Sequence, residues 1–318
     1  MTNVFHWSQA ESDLDHCLSP AHNFDHAVDP TAFHRKLAMV NRRRLAVGMP
    51  SKAWKEQLQE DIQARLDEGE FIEASRNAVA HTAALAPTQA AEFVAWFENL
   101  QEHGPGQNDP LFDWLASHAS MQQMRWFLAQ EAAGEAGFDD LLAYTQVQLP
   151  SRAKLELARN YWDEMGRGKE RGMHGLMLSS LIADIGGPPS IDATLWEPLA
   201  LANTMLAFAL NRPYVYHSIG ALGVVELTAP GRVAKVAAGL KRLGFSRRQR
   251  AYFDLHAAID LKHSKAWNVE VIEPLITADS QCAPYIAEGA LMRLACGARC
   301  FARYRSEMWS TAAIEEIP

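Results

Sequence analysis

The stretch YFDLHAAIDLKHSKAW, residues 252–267, decides how the chain is read. Leu255, Ile259 and Trp267 recur at helical spacing and mark a buried face, while Lys262 and Lys265 serve the wet side. His256, Asp260 and His263 stand at i, i+4 and i+7. At about 100° per residue they share a stripe roughly 60° wide beside the apolar face. A stripe of this kind can be a solvated helix face. Next to a core, however, three polar groups need partners, because an unpaired polar group is costly to bury. Two imidazoles and a carboxylate on one stripe suit a first-row divalent metal with mixed nitrogen and oxygen preference.

Outward from this stretch the helical period persists. Pro30 after Asp29 opens the run AFHRKLAMVNRRRLAV, residues 32–47. Residues 52–80, 87–102 and 110–133 read as further helices, and Ser151 is the candidate cap of SRAKLELARNYWDEM. Gly186-Gly187-Pro188-Pro189 is a stop, after which helices are expected near 190–210, 214–228, 231–243, 247–279 and 284–309. Only LGVVEL, residues 222–227, could pass as a strand. The fold class is all-α, with residues 106–318 as one bundle and 1–105 as an N-terminal arm and helical extension; no clean boundary separates them, which leaves room for one continuous domain. The polar first 28 residues, with His6, His16, His22 and His26, read as a solvated arm.

The 318 residues are 48% hydrophobic and 21% charged, enough for a sizeable core. A formal net charge of −8 argues against a nucleic-acid or anionic-membrane partner, which needs a basic face. Four cysteines at irregular spacing give neither a disulfide framework nor a thiolate zinc site. No apolar run approaches the roughly 20 residues that span a bilayer, and no secretory signal is visible, so the expected location is the cytoplasm.

Further candidate ligands lie elsewhere. In NYWDEMGRGKERGMHGLM, residues 160–177, Glu164 and His174 are ten residues apart, about 80° offset on a continuous helix. Asp163 is one position round the helix and reads as solvated; Glu170 is a rival. Glu226 interrupts the apolar IGALGVVELTAP, residues 219–230, and Glu131 follows RWFLAQ, residues 125–130. A lone Glu in such a run is costly to bury unless paired or metal-bound. Each could instead be exposed or bonded to an arginine such as Arg125, and Glu135, one turn on, competes with Glu131. Two carboxylate-x-x-His units on core helices would mark a ferritin-like bundle. The core stretches hold one, Asp260–His263, and the other match, Asp13–His16, lies in the polar arm.

In FLAQE, ELARNYWDEMGRGKERGMH, IGALGVVELTAP and LHAAIDLKHSKAW, the order Glu, Glu…His, Glu, His-x3-Asp-x2-His resembles the haem-oxygenase-like di-iron oxidases and oxygenases, in their iron-containing redox enzyme branch. The resemblance spans about residues 110–310. It implies a haem-oxygenase-like helical fold holding two Fe(II) per chain in place of haem. The implied ligands are Glu131, Glu164, His174, Glu226, His256, Asp260 and His263, with Glu131 serving in some members only. Arg171 stands where some members carry a carboxylate. The implied activity is O2-dependent oxidation of a small amino-acid-, amine- or fatty-acid-like substrate, by N-oxygenation, desaturation or oxidative C–C cleavage.

With no nicotinamide or flavin fingerprint, electrons would come from the substrate or an external donor. Tyr161, Trp162, Tyr216, His217, Tyr252 and Phe253 are candidate pocket residues, although aromatic residues at helical spacing usually belong to the core. Arg303 or Arg305 is a candidate anchor for a substrate carboxylate. Cys296 and Cys300 share a helical face and read as small hydrophobes. The extension is a candidate for dimerisation or substrate access, which leaves room for a homodimer. The competing class is a metal-free binding or cofactor-handling protein on the same scaffold. A haem oxygenase proper ranks last, since the acids of the proposed centre would clash with a haem.

Overall fold

The computed structural model describes residues 29–135 and 137–315, with side chains through Trp309. The N-terminal histidines and the Asp13–His16 pair lie outside the described residues. Among the described residues there is no β-strand, only an isolated antiparallel bridge between Met165 and Met173. In chain order the helices are α1 (Pro30–Leu45), α2 (Trp54–Ala83), α3 (Ala90–His103), α4 (Pro110–Ser117), α5 (Met121–Gly134), α6 (Phe138–Thr145) and α7 (Ser151–Glu164). There follow α8 (His174–Asp184), α9 (Trp196–Leu210), α10 (Val215–Arg242), α11 (Arg247–Trp267), α12 (Glu273–Ala278) and α13 (Ala283–Glu315).

Local chemistry sets most of the boundaries. Asp29 caps α1 by accepting from the N–H groups of Thr31 and Ala32, with Pro30 in the first turn where a missing N–H does no harm. Ser120 with Gln123 and Ser246 with Gln249 form reciprocal caps at the starts of α5 and α11. The first of these splits the expected 110–133 helix in two, because residues 118–120 leave helical geometry to make the cap. Ser151 makes no capping bond; it is the first residue of α7, after Pro150.

One expected break is absent, and one expected continuous helix is interrupted. LGVVEL and the segment after Pro230 belong to the single long α10, in which Pro230 is an internal residue. The proline removes the N–H that would pair with the carbonyl of Glu226, and packing on both sides holds the helix through that defect. After Trp267 the chain widens into a π-turn over Asn268–Ile272 before Pro274, whose missing N–H likewise leaves the regular ladder incomplete.

Helix α9 is buried along nearly its whole length and packs against α1, α5, α6 and α13; α10 packs against α4, α11 and α13. The α10–α13 crossing is close enough that only glycine fits on either side. A Cβ built at Gly220 would lie 1.9 Å from the Ile286 carbonyl oxygen, and one at Gly289 would lie 2.0 Å from that of His217. On the other side of α10, the Trp267 indole lies over Gly223 and donates to the Ile219 carbonyl at 3.2 Å.

Helices α1 and α2 join this bundle through His34. Its ring stacks on Trp196 of α9 at 5.7 Å and meets Phe71 of α2 edge-on at 4.9 Å. Burial, aided by the charge of Arg299, depresses its pKa to about 3. A base whose folded pKa lies below its unfolded value stabilises the fold above the unfolded value, and that contribution is lost as pH falls. Between about pH 6 and 4 the loss approaches roughly 1.4 kcal/mol per pH unit. Thermal melts across this range are therefore expected to fall more steeply for the native chain than for His34→Phe. Parallel slopes would show that the ring titrates alike in folded and unfolded chains.

Candidate metal centre

Helix α11 carries His256, Asp260 and His263 on one stripe, and three residues from other elements meet them. Glu164, His174 and His256 bring one donor atom each to within 4.8 Å of one another, and Glu226, Asp260 and His263 do the same. All except His256 are buried, and His256 is nearly so. The single stripe thus divides: its first residue faces the α7–α8 junction and its last two face α10.

Glu164 and His174 meet by a route that helical geometry does not supply. Helix α7 ends at Glu164, the chain reverses through two 3-10 turns, and α8 begins at His174. Met165 bridges Met173, so the flanking residues are brought side by side. Gly166 at φ +61° and Gly168 at φ +78° allow the reversal, and a Cβ at Gly166 would lie 2.3 Å from the Gly172 carbonyl carbon. The result is a His174 Nδ1–Glu164 Oε2 contact of 2.8 Å, with His256 Nε2 at 3.1 Å from His174 Nδ1 and 3.8 Å from Glu164 Oε1.

Groups behind the donors fix their orientation. His256 Nδ1 lies 2.8 Å from the Tyr252 carbonyl, so it is the nitrogen that donates and Nε2 is left facing the cluster. His263 Nε2 lies 3.1 Å from Asp163, which also accepts from Arg167 at 2.6 Å. His263 Nδ1 then faces Glu226 at 3.5 Å, buried and without a hydrogen bond. Asn160 donates to Glu226 Oε1 at 2.6 Å, and Asp260 Oδ1 is buried with no partner. A buried carboxylate oxygen and a buried imidazole nitrogen left unsatisfied toward the same point are what a cation would complete. The donor set therefore fits two divalent ions of mixed nitrogen and oxygen preference.

The electrostatics carry the same sign. Burial, reinforced by Glu226, pushes the Asp260 carboxyl well above its ordinary range. Burial opposes charge on His256, but Glu164 and Asp260 outweigh it and raise the ring to about 9. His263 is likewise raised to about 9 by Glu226, Asp163 and Asp260, against its burial. Glu164, although buried, is held at about 2 by His174 and His256. With no cation present the cluster draws protons instead, and metal entry would displace them.

Glu131 joins neither triplet. It points into the wall of a cavity of about 100 Å3 whose other end is formed by Glu164, Glu226, His256 and Asp260. The register of α5 places Glu131 among Glu135, Arg293 and Arg232, and burial with the Glu135 charge raises it to about 7. Glu135 stands nearer the donors: it feels the charges of His256 and Glu164 and interacts with the Tyr252 hydroxyl. Glu170 and Arg171 are exposed on the reversal loop, Trp162 is largely exposed, and His217 pairs with Glu288 at 2.8 Å away from the centre. Tyr252 and Phe253 do line the cavity. Arg303 pairs with Glu307 at 2.6 Å and Arg305 with Asp109, so neither reaches it. Cys296 and Cys300 are buried free thiols.

Asp163 read as solvated because nothing in the linear text places it against a residue on α11. Its role is positional, and Asp163→Ala is expected to weaken divalent-metal affinity by about ten- to a hundredfold while the helices stay intact. Competition with a calibrated chelator measures this; unchanged affinity would show that Asp163 serves only Arg167.

An all-α bundle with two adjacent acid–imidazole triplets has the donor groups of a helical metal-binding protein. The match to the family described as iron-containing redox enzyme covers residues 125–298, more than half of the chain, and the protein belongs to that family. Its fold is accordingly haem-oxygenase-like. The match takes in all six clustered residues as well as Glu131 and Glu135. No curated protein matches the chain. Among the described residues no helix is long and apolar enough to cross a membrane.

Proposed function

We propose that the protein is a non-haem di-iron oxidase or oxygenase that uses O2 to oxidise a small organic substrate. The observation that carries this reading is the pair of neighbouring buried triplets at one end of a cavity. Glu164, His174 and His256 would hold one iron, and Glu226, Asp260 and His263 the other. Two Fe(II) ions, when bound, supply electrons for the reduction of O2 and the oxidising power for the substrate.

The chain's own residues prepare that chemistry. The Tyr252 carbonyl and the Asp163 carboxylate fix which nitrogen of His256 and of His263 faces inward. Asn160 occupies one oxygen of Glu226 and leaves the other for the site. Burial, with the charges of Glu135, Glu164 and Asp260, keeps the Tyr252 hydroxyl protonated, so it can donate at the cavity wall. Phe127, Leu128, Phe138 and Val233 line the cavity and limit water at its interior. Electrons beyond those of the substrate would come from an external donor. The cytoplasm is the proposed compartment.

The test is to load the purified chain with Fe(II) without oxygen, count bound iron, and then follow O2 consumption against amino acids, amines and carboxylic acids. About two irons per chain and substrate-dependent O2 uptake are expected. Less than about one iron per chain, with unaltered ligand binding, would favour a metal-free binding protein on this scaffold.

A further inference from the structure

The end of the cavity remote from the triplets holds charges that the metal centre does not use. Arg232 on α10 and Arg293 on α13 both line it, and both also line the adjoining smaller cavity beside Tyr304. Neither makes an ion pair among the described residues. Arg232 has only neutral partners, donating to Gln107 at 3.3 Å and to Thr228 at 3.2 Å. Its guanidinium lies over the rings of Phe112 at 5.9 Å and Phe301 at 5.6 Å, so its plane is held. The Nε of Arg293 is buried with no hydrogen-bond partner.

Two guanidiniums facing one buried space repel each other unless an anion lies between them. Burial and the nearby Arg293 lower Arg232 to about 10, which still leaves it charged at neutral pH. Glu131 and Glu135 line the same space but are incomplete counter-ions, since burial favours the neutral form of each. A planar guanidinium presents a fork that matches a carboxylate. A desolvated arginine with no protein acid in contact is what a ligand carboxylate would satisfy.

We infer that Arg232 and Arg293 bind the carboxylate of a small carboxylic-acid substrate, at the end of the molecule farthest from the irons. This rests on the reading of the triplets as the reacting centre. Arg232 follows Glu226 by six residues on the same helix, about 9 Å along its axis. The reacting position is thus several bonds away from the carboxylate. The walls between are Phe112, Phe127, Leu128, Phe138, Val233 and Val236, so the connecting part is apolar. The roughly 100 Å3 available suits a molecule of few heavy atoms, a short-chain acid rather than a long lipid.

Titration calorimetry on the full iron-loaded chain, without oxygen, tests the assignment with straight-chain acids from butanoate to octanoate, the matching primary alcohols, and inorganic phosphate. The acids are expected to bind at least tenfold tighter than the alcohols, with an optimum at one chain length. Arg293→Gln and Arg232→Gln are expected to lose that preference, while bound iron per chain stays the same. Arg293→Lys, which keeps the charge but not the fork, guards against misfolding and is expected to bind acids several-fold more weakly than the native chain. Equal binding of acids and alcohols, or acid binding unaffected in both glutamine variants, overturns the inference; phosphate binding that is tight and length-independent acids that are weak would do the same. A native chain that binds acids through the arginines yet holds no iron keeps the anchor and removes the di-iron reading. Iron without acid preference does the reverse.

Discussion

Replacing Asp260 by alanine is expected to reverse the order of two stabilities. With iron supplied, the variant should retain about one iron per chain instead of two, lose substrate oxidation, and melt below the native protein. Stripped of metal at about pH 8, it should melt above the native protein. The reason is the geometry around Asp260. It sits buried against Glu226 with one oxygen unsatisfied, and Glu164 adds a further like charge nearby. Without cations this is electrostatic strain, so truncation relieves it, by roughly 2 kcal/mol. With cations the same carboxylate is a ligand whose removal leaves the ion under-coordinated. Calorimetric scans of both proteins, with and without Fe(II), give the four melting temperatures. If Asp260→Ala melts lower in both states, the carboxylate is an ordinary structural group. This is the local expression of a stability–function trade-off, in which a site is built from groups that destabilise the empty fold.

The second large effect is expected at a residue that donates nothing to the metal centre. Gly289→Ala should cost at least about 3 kcal/mol and reduce iron binding at the triplet that contains Glu226. The added methyl would meet the backbone of His217, at 2.0 Å from its oxygen and 2.5 Å from its Cα. Backbone cannot rotate aside as a side chain can, so α10 and α13 must separate. Helix α10 carries Glu226 and Arg232, and α13 carries Arg293, so separation displaces one ligand and both arginines. Gly220→Ala makes the same clash from the other side. Gly231, exposed on the same helix with nothing near its absent Cβ, is the control. Chemical denaturation and iron content for the three variants check this; a Gly289→Ala chain as stable as Gly231→Ala would mean that the crossing is looser than the structure has it.

The sequence made much of the helical framework readable because its signals are local: Asp29-Pro30 and the glycine and proline stops, whereas the Ser120–Gln123 cap that divides residues 110–133 went unread. It misjudged Pro230 because a proline's cost is fixed locally while the packing that holds α10 through it is not. For the centre, the convergence of His256, Asp260 and His263 follows from spacing on one helix. That they divide between two triplets does not, because it depends on where α7, α8 and α10 approach α11. Glu164 and His174 meet through a glycine-dependent reversal, and on a continuous helix they would sit well apart. Choosing between Glu131 and Glu135 requires the register of α5 against α11. Asp163, Asn160, Arg232 and Arg293 are ordinary surface-type residues in the linear text, and only tertiary placement gives them work.

The donors all come from α7, α8, α10 and α11, whereas α4, α5, α6 and α13 contribute only walls to the same cavity. Part of the wall that sets molecular preference thus lies on helices free of donors, while α10 carries both Glu226 and the wall residues Arg232 and Val233. Exchange of Leu128 or Phe138 can reshape what is accepted without disturbing a single coordinating atom. A lineage carrying this scaffold can alter what it accepts by drift along α4, α5, α6 and α13 while every donor stays in place, and laboratory evolution has the same four wall helices to exploit.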